Sequence, residues 1–342
     1  MALRIVQVGL GGWGMLWSAV VRQARDVELA ACVDMAPAAL AAASSRLGLP
    51  SDRCFTSLAA ALAAVDADAV LITATLAGHV PLALEAIEHG KHVLVEKPFA
   101  PSLAEARRVV DAADARGRVL MVSQNYRFFP AVHVAAALVR EGTLGPVGAV
   151  AIDFRRYANA AAPEGHRHYG LRHPLLLDMA IHHFDLMRAV LGQEPRQVYC
   201  HAWNPSWSKF AEPAAADATI TFDGGAVVSY RGSWVSPAPQ TAWAGVWRVE
   251  CAGGEIVWTS RNGRADSADR VTVRPLGKPA RRVALPVLPA LDQAGSLAAF
   301  AEAIRTGRPP ESSGRDNLRS LALTYAAIEA AEAGLPVPVP QI

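Results

Sequence analysis

The sequence predicts an α/β chain followed by an α+β part. The first is a doubly wound parallel sheet of the Rossmann type; the second is a large, mostly antiparallel open sheet backed by helices. Three observations predict this. Through residue 123, short apolar runs alternate with longer helical stretches, the rhythm of βαβ units. The first run ends in a glycine loop. Beyond residue 124 the rhythm breaks, and strand-like runs follow one another with Gly, Pro, Asp and Asn between them. The expected domains are therefore 1–123 and 124–342.

Leu3 to Val8 reads as a strand and runs into Gly9-Leu10-Gly11-Gly12-Trp13-Gly14, a G-x-G-x-x-G loop. Glycine serves there twice, for the tight turn and for close backbone approach to a pyrophosphate, which also meets the amide-rich start of the next helix. A helix over Met15 to Ala24 and a strand over Val27 to Val33 follow, and the strand ends in Asp34, twenty residues past Gly14. An acidic side chain at that point binds a ribose 2′,3′-diol and repels a 2′-phosphate, so NAD is expected in preference to NADP.

Helices are then expected over Ala36 to Leu47, Leu58 to Val65, Gly78 to His89 and Leu103 to Arg116. Strands are expected over Ala69 to Thr73, His92 to Val95 and Val119 to Ser123. Open α/β sheets bind ligands beyond their strand ends. Thr73 and Thr75 end one strand, and Glu96 and Lys97 end the next, beside a proline that admits a cis peptide bond. The threonines are candidates to line the nicotinamide ribose, and Lys97 is the first candidate for chemistry.

Past Gln124 the chain turns polar and aromatic at Asn125-Tyr126-Arg127-Phe128-Phe129-Pro130. A helix over Ala131 to Glu141 and an alternating strand over Val147 to Tyr157 follow. Six further strands, between Gln197 and Arg274, read as an antiparallel meander, and two helices close the chain over Leu291 to Arg305 and Arg315 to Ala333. One apolar helix interrupts, Pro174 to Leu191, with Asp178, His182 and Asp185 at i, i+4 and i+7 on one stripe. Burying two carboxylates and an imidazole costs several kcal/mol unless they are paired. A carboxylate four residues from a histidine fixes its tautomer and suits it to be a general base.

Other chemistry is weighed against this. His166, His168, His173, His182 and His183 cluster with Asp178 and Asp185, but His182 and His183 point about 100° apart on a helix, and no H-E-x-x-H or cysteine cluster is present. No metal is expected. Net charge is +2 with no basic run, which argues against nucleic acid, and no apolar stretch reaches a membrane span. The chain opens on a strand rather than a leader, and its four cysteines are scattered, so a reducing cytoplasm is expected. The tryptophans between Trp203 and Trp258 are expected to form a sheet-face core or a subunit interface rather than a sugar platform.

Together these residues resemble the Gfo/Idh/MocA oxidoreductases, which include glucose–fructose oxidoreductase and inositol dehydrogenases. The most specific likeness is Gly90-Lys91-His92-Val93-Leu94-Val95-Glu96-Lys97-Pro98. The glycine loop matches as well. Ala74-Thr75-Leu76-Ala77-Gly78-His79 resembles the family's A-T-P-N-x-x-H, Asn125-Tyr126-Arg127-Phe128 its domain junction, and Asp178 to Asp185 its D-x-G-x-H-x-x-D helix. Leu76, Ala77 and Ala180 depart from the pattern, as does Arg172-His173-Pro174 where a glycine cluster often stands.

The resemblance implies Lys97, Asp178 and His182 as the catalytic set. It implies that Gly9, Gly11, Gly12, Trp13, Gly14, Asp34, Thr73, Thr75, His79, Glu96, Lys97 and Asn125 serve the cofactor. Tyr126, Arg127, His166, His168, Arg172 and Asp185 are candidates to bind substrate, and Arg172 with His173 to select an acidic one. The expected activity is hydride transfer between NAD(P) and a secondary alcohol of a sugar or cyclic polyol, by a homodimer or homotetramer joined through the second sheet. The alternatives are an NADPH-dependent carbonyl or imine reductase, a non-catalytic dinucleotide and sugar sensor, and, last, a zinc enzyme.

Overall fold

The computed structural model describes residues 2–162, 167–261 and 269–342. The chain divides into two units, Met1–Asn125 with Ala290–Leu318, and Tyr126–Pro289 with Arg319–Ile342. The stretch 290–318, expected in the second domain, thus belongs with the first.

The first unit begins β1 (Leu3–Val8), α1 (Gly12–Gln23), β2 (Val27–Val33), α2 (Pro37–Leu47), β3 (Cys54–Phe55), α3 (Leu58–Ala64) and β4 (Ala69–Ile72). It continues with α4 (Leu76–Glu88), β5 (His92–Glu96), α5 (Leu103–Ala115) and β6 (Leu120–Ser123). The six strands form a parallel sheet in the order β3-β2-β1-β4-β5-β6, which changes direction beside β1. Every residue of β4 and β6 is buried, as is β5 from Val93 on. This is why these strands read as unbroken apolar runs: helices cover both faces of a parallel sheet. Ser102 starts α5 by accepting from Glu105 N, 3.2 Å away, a side-chain cap that satisfies one of the helix's orphan amides.

The second unit contains α6 (Pro130–Arg140), β7 (Val147–Arg155), a π-helical segment Pro174–Ala180, and α7 (Ile181–Leu191). After these come β8 (Pro195–Trp203), β9 (Ala215–Phe222), β10 (Val227–Ser233), β11 (Val246–Cys251), β12 (Gly254–Thr259), β13 (Arg270–Pro275) and β14 (Arg281–Val283). The chain then runs through α8 (Asp292–Thr306) of the first unit, α9 (Gly314–Ala333) and β15 (Val337–Pro338). Nine strands form one sheet in the order β14-β13-β12-β11-β7-β10-β9-β8-β15. It is not a simple meander, because β7 inserts between β11 and β10 and runs parallel to β10.

One face of this sheet carries the core. Val150, Ile152 and Phe154 of β7, Val228 and Tyr230 of β10, Trp247 and Val249 of β11, and Ile256 and Trp258 of β12 are all buried. Trp247 and Trp258 pair directly across the strands and stack at 4.6 Å, the core use expected for the tryptophans. On the opposite face Asp153, Tyr199, His201, Asp217, Arg231 and Arg248 line a shallow cavity of about 590 Å³.

Candidate active site

The glycine loop of the first unit is bare where a phosphate must approach and crowded where strands must meet. A Cβ on Gly9, whose φ is +94°, would lie 2.5 Å from Ala74 N, and one on Gly14 would lie 2.0 Å from Gly9 O. Neither position admits a side chain. At Gly11 and Gly12 an added Cβ would meet nothing within 4 Å, so these two residues leave open backbone at the start of α1.

Gln7, a polar residue in an otherwise apolar strand, holds this loop from beneath. It is fully buried, and its Nε2 donates to Gly14 O at 2.7 Å and to Thr73 Oγ1 at 3.2 Å, while its Oε1 accepts from Ser18 Oγ at 2.8 Å. Thr73 in turn donates to Gly9 O at 2.6 Å. Thr73 therefore supports the loop, whereas Thr75 is exposed at the start of α4. Gln7 was not among the expected site residues. The signal was its polarity inside a buried strand, where an amide must find partners.

Asp34 ends β2 with its carboxylate pinned, Oδ2 by Leu10 N at 2.7 Å and Oδ1 by Ala36 N at 2.9 Å. Two amides hold the charge at the strand end where a ribose diol would be read.

The end of β5 is an enclosed polar junction. Glu96 is 5 % exposed; its Oε1 accepts from Trp17 Nε1 at 2.6 Å and its Oε2 from Lys97 N at 3.1 Å. Burial pushes its pKa up, against opposing hydrogen bonds from Trp13 and Trp17 and the charge of Lys97. Trp13 and Glu96 are thus direct partners, and Trp17 is a partner the motif did not announce. The Lys97–Pro98 peptide is cis. His79 lies between Pro98 O at 2.8 Å and Ala74 O at 3.0 Å, tying two strand-end loops together. Burial lowers its pKa, and a neutral ring donates to only one of these carbonyls at a time. Asn125 Nδ2 donates to Asp292 Oδ1 within the same unit.

In the second unit the expected helix over 174–191 is two kinds of helix. An i→i+5 segment through Ala180 advances less per residue than an α-helix, so the assumed stripe of Asp178, His182 and Asp185 does not hold across the join. Each finds a different partner. Asp178 Oδ2 lies 3.4 Å from His168 Nε2. The His182 ring stacks on Tyr126, with centroids 4.1 Å apart and planes 4° apart.

Asp185, 1 % exposed, takes a two-pronged contact from Arg127, Nε to Oδ2 and Nη2 to Oδ1, each at 2.7 Å. Ser320 Oγ adds a third bond at 2.7 Å and accepts from Arg188, which pairs with Glu194. Arg127 and Asp185 therefore hold each other inside the unit, contrary to the expectation that both face substrate.

Next to His182, His183 is fully buried between Tyr230 OH (3.1 Å) and Trp243 O (2.9 Å). Burial lowers its pKa to about 4, so it is neutral across the physiological range. Arg172 and His173 face acidic partners: Glu212 lies 3.6 Å from Arg172 Nε and accepts from His173 N at 2.7 Å, and Glu332 lies 3.4 Å from His173 Nε2. They do not form an open basic pocket. His166 lies outside the described residues. Among the described residues no three His, Cys, Asp or Glu side chains converge as a metal site requires.

The fold and the glycine cradle define an NAD-binding oxidoreductase. The chain matches the family model described as "Oxidoreductase family, NAD-binding Rossmann fold" over residues 3–124, and the GFO/IDH/MocA C-terminal domain over 132–257. It is 30 % identical over 286 residues to dTDP-3,4-didehydro-2,6-dideoxy-alpha-D-glucose 3-reductase of Streptomyces violaceoruber, covering 78 % of this chain and 75 % of that one. It is 26 % identical to inositol 2-dehydrogenase of Rhizobium meliloti (strain 1021) over 96 % of both chains. In fold it superposes with TM-score 0.87, at 21 % identity over 99 % of both chains, on an oxidoreductase from Agrobacterium radiobacter crystallised with NAD+, L-tartaric acid and magnesium. The protein belongs to the Gfo/Idh/MocA oxidoreductase family.

Proposed function

We propose that the protein oxidises a secondary alcohol of a sugar, sugar derivative or cyclic polyol, with NAD as the acceptor. The observation that carries the reading is the cradle at the end of β1. Gly11 and Gly12 leave backbone bare at the helix start, and Asp34 is held by two amides at the ribose position. Those residues fit NAD, and a carboxylate at Asp34 disfavours the 2′-phosphate of NADP. Two of the relatives are named as a dTDP-dideoxyglucose 3-reductase and an inositol 2-dehydrogenase, which supports the substrate class.

The bound nicotinamide supplies the hydride-accepting carbon. For the chain's own residues, we assign His182 as the base that takes the hydroxyl proton, held in plane by Tyr126. Asp178, beside His168, orients and polarises that hydroxyl. Lys97 donates to the reacting oxygen and stabilises the negative charge developing there. Lys97→Ala and His182→Ala should each lower turnover by about 100-fold or more while NAD binding persists. The check is NADH absorbance in a screen of sugars and polyols with NAD and with NADP; near-normal turnover in both variants would remove the assignment.

Two wider readings follow. Among the described residues no helix is long and apolar enough to cross a membrane, and all four cysteines are free, which supports a reducing compartment such as the cytoplasm. The polar outer face of the nine-stranded sheet is the expected surface for a homodimer or homotetramer. A monomeric mass by light scattering at micromolar concentration would remove that reading.

A further inference from the structure

Asp178 and His168 are half-buried, sit on different local structures, and are held by the same supports. Asp178 belongs to the π-helical segment Pro174–Ala180. His173, just before it, has φ +44°, a left-handed conformation that a side-chain-bearing residue keeps only when its surroundings hold it. Two contacts do so: Glu212 accepts from His173 N at 2.7 Å, and the buried Trp234 donates its indole N–H to Pro174 O at 3.0 Å.

His168 lies in a short 3-10 turn, Arg167–Gly170. Its ring stands edge-on between Phe210, 5.0 Å away at 77°, and the same Trp234, 5.2 Å away at 83°. The next residue, Tyr169, accepts at its carbonyl from Ala211 N at 2.9 Å. The three consecutive residues Phe210, Ala211 and Glu212, together with Trp234, therefore fix both the turn that carries His168 and the start of the segment that carries Asp178. A chance meeting of two half-exposed groups would not share its supports in this way. Between the two, His168 Nε2 lies 3.4 Å from Asp178 Oδ2.

We propose that His168 is a positioning residue: it holds one oxygen of the Asp178 carboxylate so that the other meets the reacting hydroxyl in a fixed direction. This deepens, and rests on, the assignment of Asp178 to that hydroxyl. The test uses H168L, which keeps the slot between Phe210 and Trp234 filled, H168Q, whose amide nitrogen reaches the place of Nε2, D178A, and the double variant H168L/D178A. NADH formation is followed with NAD and each of glucose, gluconate and myo-inositol, and urea unfolding midpoints are measured without substrate.

H168L should lower kcat by about 10- to 100-fold, the cost of a catalytic group misplaced by ~1 Å, with little change in KM. H168Q should recover most of the rate. In the D178A background H168L should cost nothing further, because its effect passes through Asp178. The midpoint losses of H168L and D178A should likewise fail to add in the double variant, a coupling that needs no turnover to be seen. A raised KM with kcat unchanged, the sign of a direct hold on substrate, overturns the proposal. So does an equal loss in H168Q and H168L, the same H168L effect with and without Asp178, or additive midpoints. Coupled midpoints with no NADH formation from any compound support the pair and remove the dehydrogenase reading.

Discussion

The imidazole of His182 lies flat on the phenol of Tyr126, 4.1 Å between centroids and 4° between planes. A face-to-face neighbour restricts the ring's rotation while leaving its edge, where both nitrogens sit, to make hydrogen bonds. Tyr126 is itself held by Arg261, whose Nη1 donates to its hydroxyl at 2.9 Å. Beside the expected contact with substrate, this stacking supports a positioning role for Tyr126. Tyr126→Leu should lower kcat about 2- to 10-fold, the worth of an aromatic pair, and shift the acid limb of the pH profile. Tyr126→Phe should keep most of the rate. Equal losses in the two variants, with no change in the profile, would remove the role.

The Arg127–Asp185 pair is a stability element. Breaking one side of a buried ion pair strands the other charge, so Asp185→Asn should destabilise the protein by about 3–5 kcal/mol. Replacing both, as Arg127→Met with Asp185→Leu, should recover most of that loss, because neither desolvated charge remains. Urea unfolding midpoints decide it; a single variant within about 1 kcal/mol of wild type, small for a buried pair, contradicts the account.

His183 sets an acid sensitivity. Its pKa falls from 6.5 to about 4 on burial, so the folded state resists a proton that the unfolded chain accepts. The stability it protects is intact above pH 6.5 and lost progressively as pH drops towards 4. The full loss is on the order of 3 kcal/mol. His183→Gln should flatten the melting temperature between those values. A variant that keeps the wild-type slope means another group carries the effect.

Asp34→Ser should weaken NAD binding and narrow the preference over NADP, each by about 10- to 100-fold, from the lost charged hydrogen bonds and the lost repulsion of a 2′-phosphate. The ratio of kcat/KM for the two cofactors measures it. An unchanged ratio would falsify the ribose assignment.

The first unit was legible because its signals are local. Val93 to Val95 and Ala69 to Ile72 are apolar on both faces, and the helices between them keep a clear period. The glycine loop needed only its flanking strand and helix. Less local features escaped. The π segment at Pro174–Ala180 is hidden because a helix buried all round has no polar face to mark its phase. His168 meets Asp178 from outside the helix, where no helical spacing applies, and Arg156 against Trp243 joins residues far apart in sequence, so no spacing betrays either contact. β3 and β15 are two residues long, too short for any pattern, and the parallel pairing of β7 with β10 is a matter of topology rather than of composition.

β6 is the edge of the parallel sheet, and what covers it arrives late. Val122 N donates to Ser312 O at 3.0 Å, Ser312 Oγ donates back to Val122 O at 2.8 Å, and Met121 bridges to Ser313. During synthesis the nucleotide-binding half therefore emerges with an unguarded strand and waits through nearly two hundred residues for its cover. A shortened chain ending at residue 125 would keep every glycine of the loop and Asp34, yet expose an edge open to pairing with its neighbours. Exchanging cofactor-binding halves between relatives would accordingly take three junctions in the gene, one near codon 125 and a pair bracketing codons 290–318.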